Sequence, residues 1–433
     1  MEHQFFINYK IVEICDRLNI LRTTGDGATA SWFVNYCLGI TLQNPVKEGY
    51  RFEQYYIPEK VDFVNFSILV PSGFRNLIYQ ELENEIGQDY DFLCPAVNLY
   101  NSNLQRDIFS KNEPIIEYDN IKYYVFYTQI KIIPKYLQID LPIETINGTK
   151  YIFFDNIDYN FRKIEKYHFS IGESSFLKCL QPVMEKLPQS LHPFNLDLTD
   201  KDVFEYIWRG NFKHLFPERL KADEYIKIYK PENIEELMSF FHENFFYSPN
   251  SFLSYFNRED SYYNRCPKYN YVDSFEKDKR VGKILQITYG RLLSFDQVFE
   301  ITIQLAGMSV EEASCLMFKT QYKYFDIDKE RKKFYRQLSV GMKKNSFLEK
   351  KQIRALMNKI KALYEDVVIL PLSELRDNAI VSYWAAYYCF YYPELVSEAL
   401  KSYDDRLEAA RIERQKMIDA VYNDNPRIGL SLN

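Results

Sequence analysis

Histidine is scarce in this chain of 433 residues. The five that occur, His3, His168, His192, His214 and His242, are dispersed. None stands in the HExxH or related spacing that sets two imidazoles on one helix face, so each reads as an isolated core or surface side chain. The seven cysteines, Cys15, Cys37, Cys94, Cys179, Cys266, Cys315 and Cys389, are odd in number and contain no CxxC pair. That argues against a disulfide framework and a zinc knuckle and leaves buried free thiols as the expected state. Glycine is limited to fourteen residues, with no GxSxG elbow and no Gly-Lys-Ser/Thr ending of a phosphate loop. The densest glycine stretch, Thr23-Thr24-Gly25-Asp26-Gly27-Ala28-Thr29, therefore reads as a surface turn. No run approaches eighteen apolar residues, and the opening MEHQFFINYK lacks the features of a secretory leader, so a cytosolic protein without a membrane span is expected.

What is present is an ordinary globular balance, 46% hydrophobic and 26% charged, at a length that exceeds one hydrophobic core. Thirty-seven Tyr and thirty-three Phe bring the aromatic share to 17%, a bias that AT-rich codons produce without functional selection. Most of these rings are expected to serve packing, with Tyr also suited to interfaces. The pattern predicts an α+β protein in three regions. Residues 1–165 form a mixed region with β-hairpins, 166–290 an aromatic, proline-punctuated middle, and 291–433 a helical assembly module.

Turn chemistry places the hairpins. Ile115–Tyr118 and Ile121–Phe126 flank Asp119-Asn120, and Ile143–Ile146 and Thr149–Phe154 flank Asn147-Gly148, a pair that tolerates positive φ at both positions. The two units align at an offset of 28 residues, matching Lys122 with Lys150 and Tyr123 with Tyr151. Helices are predicted over Ile7–Leu21 and Pro231–Phe246, the second opening on proline and an acidic turn. In the last third, Ser294 with Gln297, Ser309 with Glu312 and Ser346 with Glu349 fit the capping-box spacing and propose three helix starts. Ile353, Leu356, Met357, Ile360, Leu363 and Tyr364 make one apolar stripe. A helix over Ser373–Tyr391 carries a small-residue face with Ala379, Ser382 and Ala386, and a long helix is predicted from Pro393 to about Tyr422.

No complete active site is legible, so catalytic, cofactor-binding and metal-ligating residues are all assigned as none. Asp89 and Asp91 could share one side of a strand as metal ligands, but no partner acid or lysine of recognisable spacing accompanies them, which favours a solvated turn. The strongest charge feature lies between Lys329 and Lys361, where twelve basic residues face two acidic ones, a local balance of +10 against −16 for the remainder. Lys332, Lys333, Arg336, Lys343, Lys344, Lys350, Lys351 and Arg354 are the candidates to face nucleic acid, by attraction to phosphates without sequence reading. The same run also fits the solvated face of an amphipathic helix.

At the C-terminus, Asp377-Asn378-Ala379-Ile380-Val381-Ser382-Tyr383-Trp384-Ala385-Ala386-Tyr387-Tyr388, then Tyr392-Pro393-Glu394-Leu395, then Tyr403-Asp404-Asp405-Arg406-Leu407-Glu408-Ala409-Ala410-Arg411, resembles the head-to-tail connector proteins of tailed bacteriophages. The resemblance covers about sixty residues and consists mainly of helix periodicity. It implies a structural virion component, a neck ring joining portal to tail. Its partners would be other copies of itself and the portal, with DNA passing non-specifically through the channel and no membrane. Ala379, Ser382, Ala386, Tyr403, Leu407 and Ala410 would then lie at the subunit interface. The alternatives are an intracellular metal-dependent enzyme acting on nucleic acid and a non-viral scaffold or adaptor.

Overall fold

The computed structural model describes residues 2–25, 27–55, 67–98, 115–118, 121–125, 129–137, 143–146, 148–154, 167–209, 226–227, 230–245, 278–288, 292–320, 327–366 and 370–402. The protein is α+β. Helix α1 (Glu2–Arg17) opens the chain. Three short helices follow, α2 (Gly27–Ser31), α3 (Phe33–Cys37) and α4 (Pro45–Glu48). Strand β1 (Ser67–Pro71) and helix α5 (Arg75–Ile86) lead into seven further strands: β2 (Tyr90–Asn98), β3 (Ile115–Tyr118), β4 (Ile121–Val125), β5 (Gln129–Pro134), β6 (Ile143–Ile146), β7 (Thr149–Phe154) and β8 (His168–Ser174). Helices α6 (Ser175–Glu185), α7 (Lys201–Trp208) and α8 (Ile234–Phe245) come next. The last third holds α9 (Lys279–Leu285), α10 (Phe295–Gln304), α11 (Val310–Lys319), α12 (Ile327–Asn345), α13 (Lys350–Asp366) and α14 (Leu372–Tyr391). Residues 393–402 are helical, and the remainder of the long helix expected there lies outside the described residues.

Both hairpins form at the expected turns, Tyr118 opposite Ile121 and Ile146 opposite Thr149, with Gly148 at φ +80°. Their likeness has a structural counterpart, because both lean on the long strand β2. Val97 pairs antiparallel with Tyr124 of β4, and Ala96 pairs parallel with Phe153 of β7. The other half of β2 pairs with β5, β5 pairs antiparallel with β8, and β8 pairs in parallel with β1 at the sheet edge. Helices α1 and α5 pack with this end of the sheet through Ile7, Ile11, Ile78, Leu82, Ile132 and Ile171.

Two helical cores complete the molecule. In one, α9 to α13 gather around Val298, Phe299, Phe334, Leu338, Leu356 and Ile360. In the other, α14 joins α6, α7 and α8 together with Leu21, Ala30 and Tyr50 from the N-terminal segment. Tyr383, Trp384 and Tyr388 are fully buried there, and the two phenols donate to the carbonyls of Asp197 (2.7 Å) and Leu191 (2.6 Å). These rings serve packing, as the composition suggests, and the two phenol tips each find a backbone acceptor.

Of the three proposed caps, two form as reciprocal boxes, Ser294 with Gln297 and Ser309 with Glu312. The third shifts by three residues. Ser346 donates back to the Met342 carbonyl (2.7 Å), closing α12, and Gln352 accepts from the Glu349 amide (2.9 Å) as α13 begins. Helix α8 likewise starts later than its proline, with Asn233 accepting from the Glu236 amide (2.8 Å). Of the cysteines, Cys15, Cys37, Cys94, Cys179, Cys315 and Cys389 are free. Cys15 and Cys179 are buried, Cys37 is exposed, and Cys266 lies outside the described residues.

One glycine is required by close packing. A Cβ on Gly341, inside α12, would sit 2.4 Å from the Ala306 carbonyl oxygen and 2.8 Å from its Cβ. Gly341→Ala gains about 1 kcal/mol of helix propensity but overpacks a backbone contact by about 1–3 kcal/mol. The expected result is a net loss of up to about 2 kcal/mol, read from the urea midpoint.

Candidate nucleic-acid interface and the buried junction

Helix α12 is amphipathic in an unusual way. Phe334, Tyr335, Leu338 and Met342 are buried, so the opposite face must meet water. That face carries Lys332, Lys333, Arg336, Lys343 and Lys344, all exposed, within roughly a third of the helix circumference at 100° per residue. Helix α13 repeats the arrangement. Ile353, Leu356, Met357, Ile360 and Leu363 face the core while Lys350, Lys351 and Arg354 are exposed. Among the described residues, none of these eight cations takes part in a salt bridge. Lys350 and Lys351 also occupy the first turn of α13, where the helix dipole is already positive, an arrangement that disfavours the helix by about 0.3–1 kcal/mol per charge and favours an anion. Lys361 Nζ instead lies over the Tyr335 ring at 5.6 Å, and the Arg331 guanidinium lies over Tyr364 at 5.5 Å, so these two cations help pack α12 on α13.

The loop between the helices has its own support. Phe347 is 76% exposed, yet its amide donates to Asp278 Oδ2 (3.1 Å) and its ring lies 5.8 Å from the Arg280 guanidinium. Arg280 is fixed by Asp278 Oδ1 (2.8 Å), by Asp278 Oδ2 (2.7 Å) and by the carbonyls of Gln304 and Asn345. The Arg280 side chain holds the Asp278 carboxyl below the usual carboxylate range.

The glycine-dense N-terminal loop is a buried junction and not a surface turn. Thr23, Thr24 and Gly25 are buried, Gly25 at φ +85°. The Thr24 amide donates to Asp377 Oδ1 (2.7 Å), and the Thr24 hydroxyl donates to the same oxygen. Gln43 Nε2 donates to the carbonyls of Gly25 (2.7 Å) and Ser373 (3.0 Å), and Gln43 Oε1 accepts from Tyr50 (2.7 Å). A carboxylate of α14 thus satisfies donors that could otherwise hold a phosphate oxygen. Burial pushes the Asp377 carboxyl up to about 6 against the pull of Thr24, and burial with the Asp377 charge pushes Glu374 up to about 7. Nearby, Asp296 Oδ2 accepts from the Leu372 amide (2.7 Å), and Arg376 bridges Glu48 (3.2 Å) and Glu235 (2.8 Å). A cleft of about 590 Å³ opens beside this junction between residues 45–53 and helices α9 and α10. Glu48, Arg51, Glu53, Lys283 and Glu300 line it, with Arg51 Nε held on Glu300 at 2.6 Å.

Asp89 and Asp91 do not assemble a metal site. Asp91 Oδ1 accepts from Lys150 Nζ at 2.7 Å, and the Asp89 carbonyl accepts from the Lys135 amide in the turn before β2. Among the described residues no group of three or more His, Cys, Asp or Glu side chains could hold a metal ion.

Ala379, Ser382 and Ala386 are buried on α14, where their small side chains let other helices of the same chain pack closely. Tyr403, Leu407 and Ala410 lie outside the described residues.

Two family models match the chain. Residues 1–134 match the bacterial DNA polymerase III alpha NTPase domain, and residues 175–345 match the bacterial DNA polymerase III alpha subunit finger domain. A DNA polymerase III subunit alpha from Yersinia pestis is 30% identical over 66 residues, which is 15% of this chain and 6% of that protein. The chain therefore aligns with only a small part of its curated relative.

These matches overturn the connector reading. The resemblance to phage neck proteins, with the virion location, the cyclic self-assembly and the portal partner it implied, rested on helix periodicity in about sixty residues. Two models of one bacterial polymerase subunit, in chain order, match far more of the sequence. Apolar spacing of that kind arises in any packed helix, and α14 is buried around most of its circumference, so the pattern carries no family information.

Proposed function

We propose that this chain is a DNA-engaging protein of the polymerase III alpha type, the nucleic-acid alternative among the sequence readings. The observation that carries this reading is the pair of domain matches from the same subunit, over residues 1–134 and 175–345. The exposed cations of α12 and α13 support it, since a polyanion is the partner that eight uncompensated charges on two helices suit. The expected partners are DNA and proteins of a replication assembly, in the cytoplasm. Among the described residues no helix is long and apolar enough to cross a membrane.

Polymerases transfer nucleotides with paired metal ions held by clustered carboxylates. The described residues do not fit that requirement, because Asp91 is held by Lys150 and no other set of three ligands converges. The proposal is therefore one of DNA engagement, and no transfer step is derived.

The test is fluorescence anisotropy of labelled primer-template DNA with the full chain between 50 and 200 mM salt. Binding that weakens by orders of magnitude over that range, roughly 10³-fold for about six phosphate contacts, is expected. Absence of binding to primer-template, duplex and single-stranded DNA at 50 mM salt would overturn the reading.

A further inference from the structure

We infer that Phe347 is a stacking platform for a base of single-stranded DNA, with lysines on either side holding the strand's phosphates. The inference rests on the DNA-engaging reading above and names the form of nucleic acid and the residues that meet it.

Three observations converge. Phe347 is the most exposed of the large hydrophobic side chains on the described surface, at 76%. Phe347 is also mounted. Its amide is held by Asp278, which is only 2% exposed, and Arg280 lies against its ring. Arg280 is itself pinned by Asp278 and by two backbone carbonyls from the ends of α10 and α12. Much of the ring is left to solvent in a fixed place.

The third observation is the charge around it. Lys343 and Lys344 precede Phe347 by four and three residues, and Lys350 and Lys351 follow it by three and four, all four exposed. An aromatic ring between cations is the arrangement that holds a single strand, since every base has a π-face and the phosphates on either side of a stacked base meet the charges. Duplex DNA meets the same lysines through its backbone, but its bases are already stacked on one another and cannot reach the ring. The geometry therefore favours single strands over duplex. A protein partner would have to be strongly acidic to satisfy the lysines and would show no such preference.

Binding of labelled oligo-dT, oligo-rU and a hairpin duplex to the full chain tests the inference. Phe347→Ala should weaken oligo-dT binding roughly five- to hundredfold, with the salt slope and the duplex affinity unchanged. Phe347→Trp should bind oligo-dT as the wild type does, and its new indole fluorescence should be quenched by the oligonucleotide. Phe347→Ala binding oligo-dT like the wild type, or losing duplex affinity equally, would overturn the platform while leaving the DNA-engaging reading intact. Tighter binding of oligo-rU than of oligo-dT would overturn the assignment to DNA. Failure of the wild type to bind any of the three would instead remove the functional reading on which the inference stands.

Discussion

Reversing three charges on α12, Lys332→Glu, Lys333→Glu and Arg336→Glu together, is expected to weaken DNA binding by roughly a hundredfold or more at 100 mM salt. All three side chains are exposed, and all lie opposite the buried positions Phe334, Leu338 and Met342. Glutamate has helix propensity close to that of lysine and arginine, so the helix should persist and the melting temperature should hold. Each phosphate contact contributes through released counterions, and removing three should flatten the slope of log K against log salt by about two units for a single strand. The loss should be similar for every base sequence, because contacts of this type read charge only. An unchanged affinity with an unchanged slope would show that the face is merely solvated and that DNA, if bound, lies elsewhere. Phe347→Ala complements this experiment, as it removes stacking and leaves the slope.

The second large effect concerns the junction. Asp377→Ala should destabilise the protein by about 3–5 kcal/mol, because it leaves the buried amide and hydroxyl of Thr24 without their acceptor at about 1–3 kcal/mol each and empties the space between them. Denaturant unfolding followed by tyrosine and tryptophan fluorescence reads this directly. A loss under about 1 kcal/mol would show that water replaces the carboxylate and that the junction is open.

The same carboxyl makes stability depend on pH in an unusual direction. Its folded value, about 6, and that of Glu374, about 7, lie above the ordinary carboxylate range. A group whose folded value is raised contributes stability that is complete below its unfolded value and is lost as pH rises through the folded one. The two groups interact and titrate as a pair. The junction should therefore be firmer at pH 5 than at pH 8, by about 1–1.5 kcal/mol for Asp377, since part of the effect is already lost at pH 5, above the unfolded value. Asp377→Asn should flatten the difference in melting temperature between these two pH values. A wild-type profile that rises steadily from pH 5 to pH 8 and is unaltered by the substitution would contradict the assignment.

How much of this was legible in the sequence depends on the range of each interaction. Two capping boxes and two hairpins form where neighbouring residues place them, since their partners lie within a few positions. The third cap moved because Ser346 to Glu349 and Glu349 to Gln352 both fit the spacing, and only the closing turn of α12 on Ser346 chose between them. The basic run was visible as composition. That its members share exposed faces followed once Phe334, Leu338, Ile353 and Leu356 were seen to face one core. Phe347 stands between two lysine pairs in the sequence, but its value lies in Asp278, nearly seventy residues earlier, which holds it.

By itself, then, the sequence determined the α+β class, the hairpin turns, the two capped helix starts at Ser294 and Ser309 and the charge asymmetry, because periodicity and turn chemistry act within a few residues. Only the tertiary structure decided that Thr24 meets Asp377 across 353 positions, so that the glycine loop is buried and occupied. It also decided that the small residues of α14 pack within the chain and that Asp91 is neutralised by Lys150. The physical reason is the same in each case. A buried polar group or a close-packed face takes whichever partner the folded chain brings to it, and no local pattern names that partner in advance.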